Sequence, residues 1–168
     1  MTDKNRKNEL WIGNDHGGYK LKQYIIEELK KREIPIKNVG TDSEEIVRYP
    51  YYAAKVAGAI YEDKTKKGIL ICSTGIGMSI IANKFKGVRA SLCTNTYMGK
   101  MTRAHNNSNL LCLGGKITGV GEALDILDAW LTTPYMGGRH DISLNLIKEA
   151  ERTLCTNNIW SYNLENIK

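Results

Sequence analysis

The sequence predicts an α/β fold: a three-layer α/β/α sandwich around a five-stranded parallel sheet, Rossmann-like in type. Three observations lead there. Five short, mostly apolar runs are separated by stretches of helical period, and polar, glycine-rich turns follow the runs. The runs are Leu10–Asn14, Ile36–Gly40, Gly68–Cys72, Val88–Cys93 and Asn109–Gly114, apolar enough for strands covered on both faces. Strand–helix alternation makes βαβ units, and these place helices on both sides of a parallel sheet.

The first helix is read from Leu21, Ile25 and Leu29, which share a face with Tyr24 beside them, while Lys and Glu fill the rest. Pro50, in RYPYYAAKVAGAIYE, suits the first turn of a helix whose apolar face includes Ala53, Val56, Ala57 and Ile60. A helical pattern begins again after STGIG. Further on, Ala123, Ile126, Leu127, Trp130 and Leu131 form an i, i+3, i+4, i+7, i+8 stripe, the strongest helical signal in the chain. A last helix follows GGRH, around residues 140–154. The 168 residues fit one domain, with a core over about 9–154 and a tail, 155–168, that docks on the body or on a partner subunit.

Composition narrows the function. No apolar run approaches the ~20 residues of a membrane helix, and the charged start MTDKNRKNEL has no apolar segment behind it, so a cytoplasmic protein is expected. Cys72, Cys93, Cys112 and Cys155 are widely spaced with no CxxC pair, which fits reduced thiols. No His/Cys pairs stand at ligand spacing, so no metal site is expected. The net charge of +6 is spread along the chain, and its dense clusters, KLK, KKRE and DKTKK, fall where solvated helix faces and loops are expected. Nucleic acid is therefore not the expected partner, and a small anionic substrate fits a basic surface equally well.

In open parallel sheets, ligands bind outside the carboxyl ends of the strands. The residues there are Asp15 to Gly18, Thr41, Cys72 to Gly77, Thr94 and Asn95, and Gly114 to Lys116. STGIG leading into a helix resembles an anion cradle, because glycines admit close backbone approach and free N–H groups point at negative oxygen. It is neither a dinucleotide fingerprint, since Ile80 stands where the third glycine would, nor a P-loop. Cys72 has two readings: a buried thiol closing a strand, or a thiolate favoured beside a helix N-terminus. Asp15 and His16, at a strand end before two glycines, suit a general acid or hydrogen-bonding pair. His105 and His140 also stand near element boundaries.

Taken together, NDHGGYKLK, RYPYYA, GILICSTGIGMSIIANKFKGVRA, RAHNNSNLLCLGGKITG and GGRH resemble, in order and spacing, the type B ribose-5-phosphate isomerases. That family also includes allose-6-phosphate isomerases and galactose-6-phosphate isomerase subunits. The resemblance spans residues 9 to 154. It implies an aldose–ketose isomerase of carbohydrate metabolism, in the pentose phosphate pathway, acting through a cis-enediolate without metal or cofactor. It also implies a homodimer or homotetramer whose active sites are shared between chains.

The family's residues carry over as follows. Cys72 stands where one branch has its base, and Met78 stands where another branch has a glutamate, so the resemblance implies Cys72 as base. Thr74 is implied to shuttle a proton between sugar oxygens, and His105 with Asp15 to open the furanose ring. His16, Tyr49 and Asn106 match substrate-lining positions, and the Ser73, Gly75, Gly77, Met78 and Ser79 loop matches the enediolate cradle, its N–H groups from Gly75 to Ser79 binding the enediolate oxygen. Three phosphate-facing arginines are usual: here the first is Lys116, which lacks the bidentate fork, the second is Arg139, and the third is Ser143. Arg48 replaces an acid usual before Tyr-Pro and restores part of that positive charge. Ribose 5-phosphate is the expected substrate. The changed anion set leaves open allose 6-phosphate, a tetrose phosphate, an unphosphorylated aldose, or a non-catalytic sugar-phosphate-binding module.

Overall fold

In a computed structural model, residues 9–154 are described; the expected docking of the tail lies outside them. The chain divides into two compact units, Met1–Tyr135 and Met136–Lys168. The first holds strands β1 (Leu10–Asn14), β2 (Ile36–Asn38), β3 (Lys67–Cys72), β4 (Ala90–Leu92) and β5 (Leu110–Gly114). It also holds helices α1 (Tyr19–Lys31), α2 (Tyr49–Glu62), α3 (Ile76–Ala82), α4 (Thr96–Asn106) and α5 (Val120–Thr132). The sheet runs β2-β1-β3-β5-β4, with every pair parallel.

Period-2 alternation assigns the strand side chains to two cores. Leu10, Ile12, Ile69, Ile71, Leu111 and Leu113 face α1 and α5, where they meet Leu21, Ile25, Leu29, Ile126, Leu127 and Trp130. Leu70, Cys72, Leu110 and Cys112 face the opposite layer, against Val56, Ile60, Met78 and Ala82 of α2 and α3. Cys72 is thus a core-facing residue and a strand-end residue at once.

Several elements differ in extent from the expectation. β4 begins at Ala90, not Val88, because the Arg89 N–H is taken by the Asn109 side chain at 2.8 Å before the ladder starts. β2 ends at Asn38, whose side chain accepts the Gly40 N–H at 3.1 Å and turns the chain. A short 3-10 turn, His16–Gly18, precedes α1. Tyr24 is half exposed, whereas Lys22, expected on a solvated face, is completely buried.

In the second unit, α6 (Arg139–Leu154) is opened by two consecutive left-handed residues, Gly137 (φ +63) and Gly138 (φ +61). Their carbonyls accept the His140 and Asp141 N–H groups at 3.2 and 3.0 Å. A side chain at either position would be strained, which accounts for the GG of GGRH.

Burial pushes the Cys93 thiol up to about 12, while an unfolded thiol ionises from about pH 8.5. The folded state holds a proton that the unfolded state loses, so this contribution is intact below about pH 8.5 and is lost as pH rises toward 12. The urea midpoint should therefore fall with rising alkaline pH, less steeply in Cys93→Ala. An identical slope in the two proteins would contradict this.

Candidate active site

The connections leave β1 and β3 in opposite directions, toward β2 and toward β4, so a crevice opens between their carboxyl ends. Asp15, directly after β1, lies there, its N–H on the Ile71 carbonyl at 3.2 Å. Its carboxylate accepts the N–H groups of Gly17 (2.9 Å) and Gly18 (3.2 Å). Burial raises its proton affinity, with His16 and these N–H groups pulling the other way. A Cβ on Gly17 would strike Ser73, and one on Gly18 would strike the Ile71 carbonyl. Only glycines let this turn lie against the Cys72 loop.

The expected Asp15–His16 pairing takes another form. His16 Nδ1 accepts the Val47 N–H at 3.3 Å, so the neutral imidazole carries its proton on Nε2. Residues 40–48 are thereby tied to the turn that holds Asp15.

Cys72 closes β3, almost fully buried, and receives the Gly75 N–H on Sγ at 3.1 Å. The bend over residues 73–75 brings that N–H back to the sulfur, and Gly75 then takes φ +78 to lead the chain into α3. A Cβ there would press on the Leu113 carbonyl at 3.0 Å. The turn is also stitched to the loop after β5: the N–H groups of Gly115 and Lys116 reach the carbonyls of Cys72 and Ser73 at 2.7 and 3.0 Å. Burial pushes Cys93 and Cys112 up and keeps them as neutral thiols. Of the three described cysteines, Cys72 is the one whose sulfur a backbone N–H donor contacts.

The hydrogen bonds narrow the expected oxyanion cradle. Gly75 spends its N–H on Cys72, Ile76 donates to Thr74 Oγ1 at 3.3 Å, and Ser79 donates to the Gly75 carbonyl at 3.1 Å. Ser79 Oγ donates to the Ile76 carbonyl as well, so both Ser79 donors are used within the helix. Gly77 and Met78 remain, in the first turn of α3, where N–H groups have no intrahelical acceptor. The Met78 side chain itself is buried in the core. Tyr49, the first residue of α2, lays its ring over Gly77, where a Cβ would meet it at 2.8 Å.

Asp15, His16, Tyr49, Cys72 to Ser79 and Lys116 therefore gather at the carboxyl edge of the sheet. His105 and Asn106 do not. They end α4, and the side chain of Arg89, at the foot of β4, bonds the Asn106 and Asn107 carbonyls at 2.8 to 3.1 Å. The strand register sets Ala90 level with Leu110 and Gly68, and Cys72 four residues further along. At about 3.3 Å per residue, His105 and Cys72 of one chain stand about 13 Å apart along the strands. Asp15 and His105 are thus at opposite edges within one chain. Arg139 belongs to α6, in the second unit.

Sequence reasoning missed Lys22, Asn14 and Arg89, which shape these loops. Lys22 carried a signal: with Ile25 and Leu29 it continues the i, i+3, i+7 stripe, so its place on the buried face was readable.

The fold and the switch-point thiol define a doubly wound α/β protein with a site suited to moving protons on a small anionic ligand. The chain belongs to the Ribose/Galactose Isomerase family, whose model matches residues 10–147. It is 42% identical over 144 residues to ribose-5-phosphate isomerase B of Escherichia coli, covering 86% of this chain and 97% of that protein. A solved ribose-5-phosphate isomerase B of Clostridium thermocellum superposes with a TM-score of 0.84 at 46% identity, covering 87% of this chain and 99% of that one. The enzyme of Mycoplasma genitalium, solved with bound ribulose 5-phosphate, superposes with a TM-score of 0.83 at 34% identity, covering 86% and 96%.

Iodoacetamide should label Cys72 before Cys93 and Cys112, read by peptide mass, with ribose 5-phosphate slowing the Cys72 reaction. Equal labelling of the three would remove the distinction drawn here.

Proposed function

We propose that the protein interconverts ribose 5-phosphate and ribulose 5-phosphate, with Cys72 as the base. The observation that carries this reading is the Cys72 sulfur, held by the Gly75 N–H at the switch point beside the first-turn N–H groups of Gly77 and Met78. Family membership and the relative solved with ribulose 5-phosphate supply its substrate class.

The steps balance without a redox partner. His105 gives a proton to the ring oxygen while Asp15 accepts one from the anomeric hydroxyl, opening the furanose. The Cys72 thiolate removes the proton on C2, and electrons flow onto the carbonyl oxygen to give the cis-enediolate. Gly77 and Met78 N–H groups stabilise that oxygen, a role worth about 2.7–4 kcal/mol per donor. Thr74 Oγ1 already accepts from Ile76, which leaves its own proton to donate; it relays a proton from O2 to O1. Cys72 then returns its proton to C1.

Because Asp15 and His105 stand at opposite edges of one sheet, His105 and Asn106 reach the Cys72 site from a second copy, with Arg139. The short edge strand β4 and exposed Tyr97 and Met98 of α4 support such a contact. The free thiols support a reducing compartment, the cytoplasm.

A second reading, the same isomerisation on another sugar or sugar phosphate, is favoured by Arg48. This exposed cation sits at the N-cap of α2, makes no side-chain cap bond and opposes the helix dipole. Its place beside Tyr49 serves an anion better than it serves the helix. Losing a charge-assisted bond at Ser143 costs about 1.5–3 kcal/mol, which Arg48 offsets in part.

Ketose formation followed by absorbance should show turnover of ribose 5-phosphate by the wild type and a loss of at least a hundredfold in Cys72→Ala. Wild-type turnover retained by the variant would remove Cys72 as base. Negligible turnover by folded wild type, with activity on another aldose, would favour the second reading.

A further inference from the structure

Lys22 is a lysine with no exposed side-chain surface, an expensive place for an ammonium unless it is fully engaged. Its Nζ donates to the Thr41 carbonyl at 2.6 Å and to Asp42 Oδ1 at 2.9 Å. The bond and charge of Lys22 hold the Asp42 carboxyl below its ordinary range. Thr41 is gripped twice more, by Asn14 Nδ2 on its carbonyl (3.2 Å) and through its own N–H on the Asn14 carbonyl (3.2 Å). From this anchor the chain runs without regular structure to Arg48. Lys20 meets Glu44 at 3.2 Å on the way, and Val47 donates to His16 Nδ1 near the end.

Asn38 holds the start of this strap, on the Gly40 N–H and Asp42 Oδ1, and the remaining tethers come from the segment that also carries Asp15: Asn14, His16, Lys20 and Lys22. The strap's last contact fixes the tautomer of His16, and its exit delivers Tyr49 onto Gly77.

We infer that Lys22 is a positioning residue for substrate binding, acting through the 40–48 strap to set the His16 imidazole and the Tyr49 ring. This rests on the isomerase reading, in which His16 and Tyr49 line the substrate. Lys22 touches no substrate. Its effect belongs to KM, because a loosened strap must be reordered by each incoming ligand.

The test uses Lys22→Met, with Asp42→Ala at an exposed partner as the variant that keeps the buried lysine. Lys22→Met should raise KM for ribose 5-phosphate at least tenfold with kcat within threefold, and Asp42→Ala should raise KM less. Combined with His16→Ala, Lys22→Met should add less than its own KM penalty, since the two share the imidazole and only the effect through Tyr49 remains. Hydrogen exchange at the Val47 amide should accelerate, and 15N shifts of His16 should move from one tautomer toward a mixture. Unchanged KM, full additivity, or unchanged Val47 exchange in Lys22→Met would overturn the inference. Should Lys22→Met not fold, unchanged KM and exchange in Asp42→Ala would do so. If ribose 5-phosphate is not turned over, the isomerase reading fails separately, and the exchange and 15N measurements still decide the clamp.

Discussion

The Gly75 N–H on the sulfur of Cys72 is the contact around which the site is arranged. It needs a backbone that bends immediately after a buried strand, over residues 73–75, where the left-handed Gly75 turns the chain into a helix. The same bend starts α3, directs the Gly77 and Met78 N–H groups outward, and leaves room for the loop after β5 to bond the Cys72 and Ser73 carbonyls. A thiol buried as deeply as Cys93 would stay protonated. Cys72 differs from Cys93 and Cys112 in that a backbone donor reaches its sulfur, at the strand end where the sheet opens.

A second constraint is directional. Helices that follow strands in βαβ units run back along the sheet, so the end of α4 lies at the edge where the strands begin. Arg89 locks it there by capping its last carbonyls, which suits the negative end of the helix dipole. No adjustment of side chains brings His105 across about four strand residues to Cys72 of the same chain. The proposed closed two-fold pairing of identical chains would meet this constraint, each copy presenting its α4 end to the other's thiol. The strap tethered by Lys22 belongs to the half of the site that one chain builds alone.

The fold class was legible because period-2 and period-3.6 patterns survive wherever both sheet faces are covered, as in Gly68–Cys72 and the Ala123–Leu131 stripe. β1 and the carboxyl ends of β3 and β5 fall where expected, but the end of β2 and the start of β4 were not legible, because Asn38 and Asn109 side chains take backbone N–H groups there and no periodicity encodes such a substitution. The site's carboxyl-edge residues were legible from strand ends and glycines. Which N–H groups of STGIG stay available was not, since it depends on the turn at Gly75 and on hydroxyls such as Thr74 folding back. Lys22 was misread because charge suggested solvent, although its register marked the buried face.

The most direct test of the account mixes Cys72→Ala with His105→Ala, each inactive alone, after dissociation and reassociation. Half of randomly mixed dimers pair the two variants, and each such dimer holds one intact site, so about a quarter of wild-type turnover should return. Mixed dimers verified by mass that recover no activity would contradict a site assembled from Cys72 of one copy and His105 of the other.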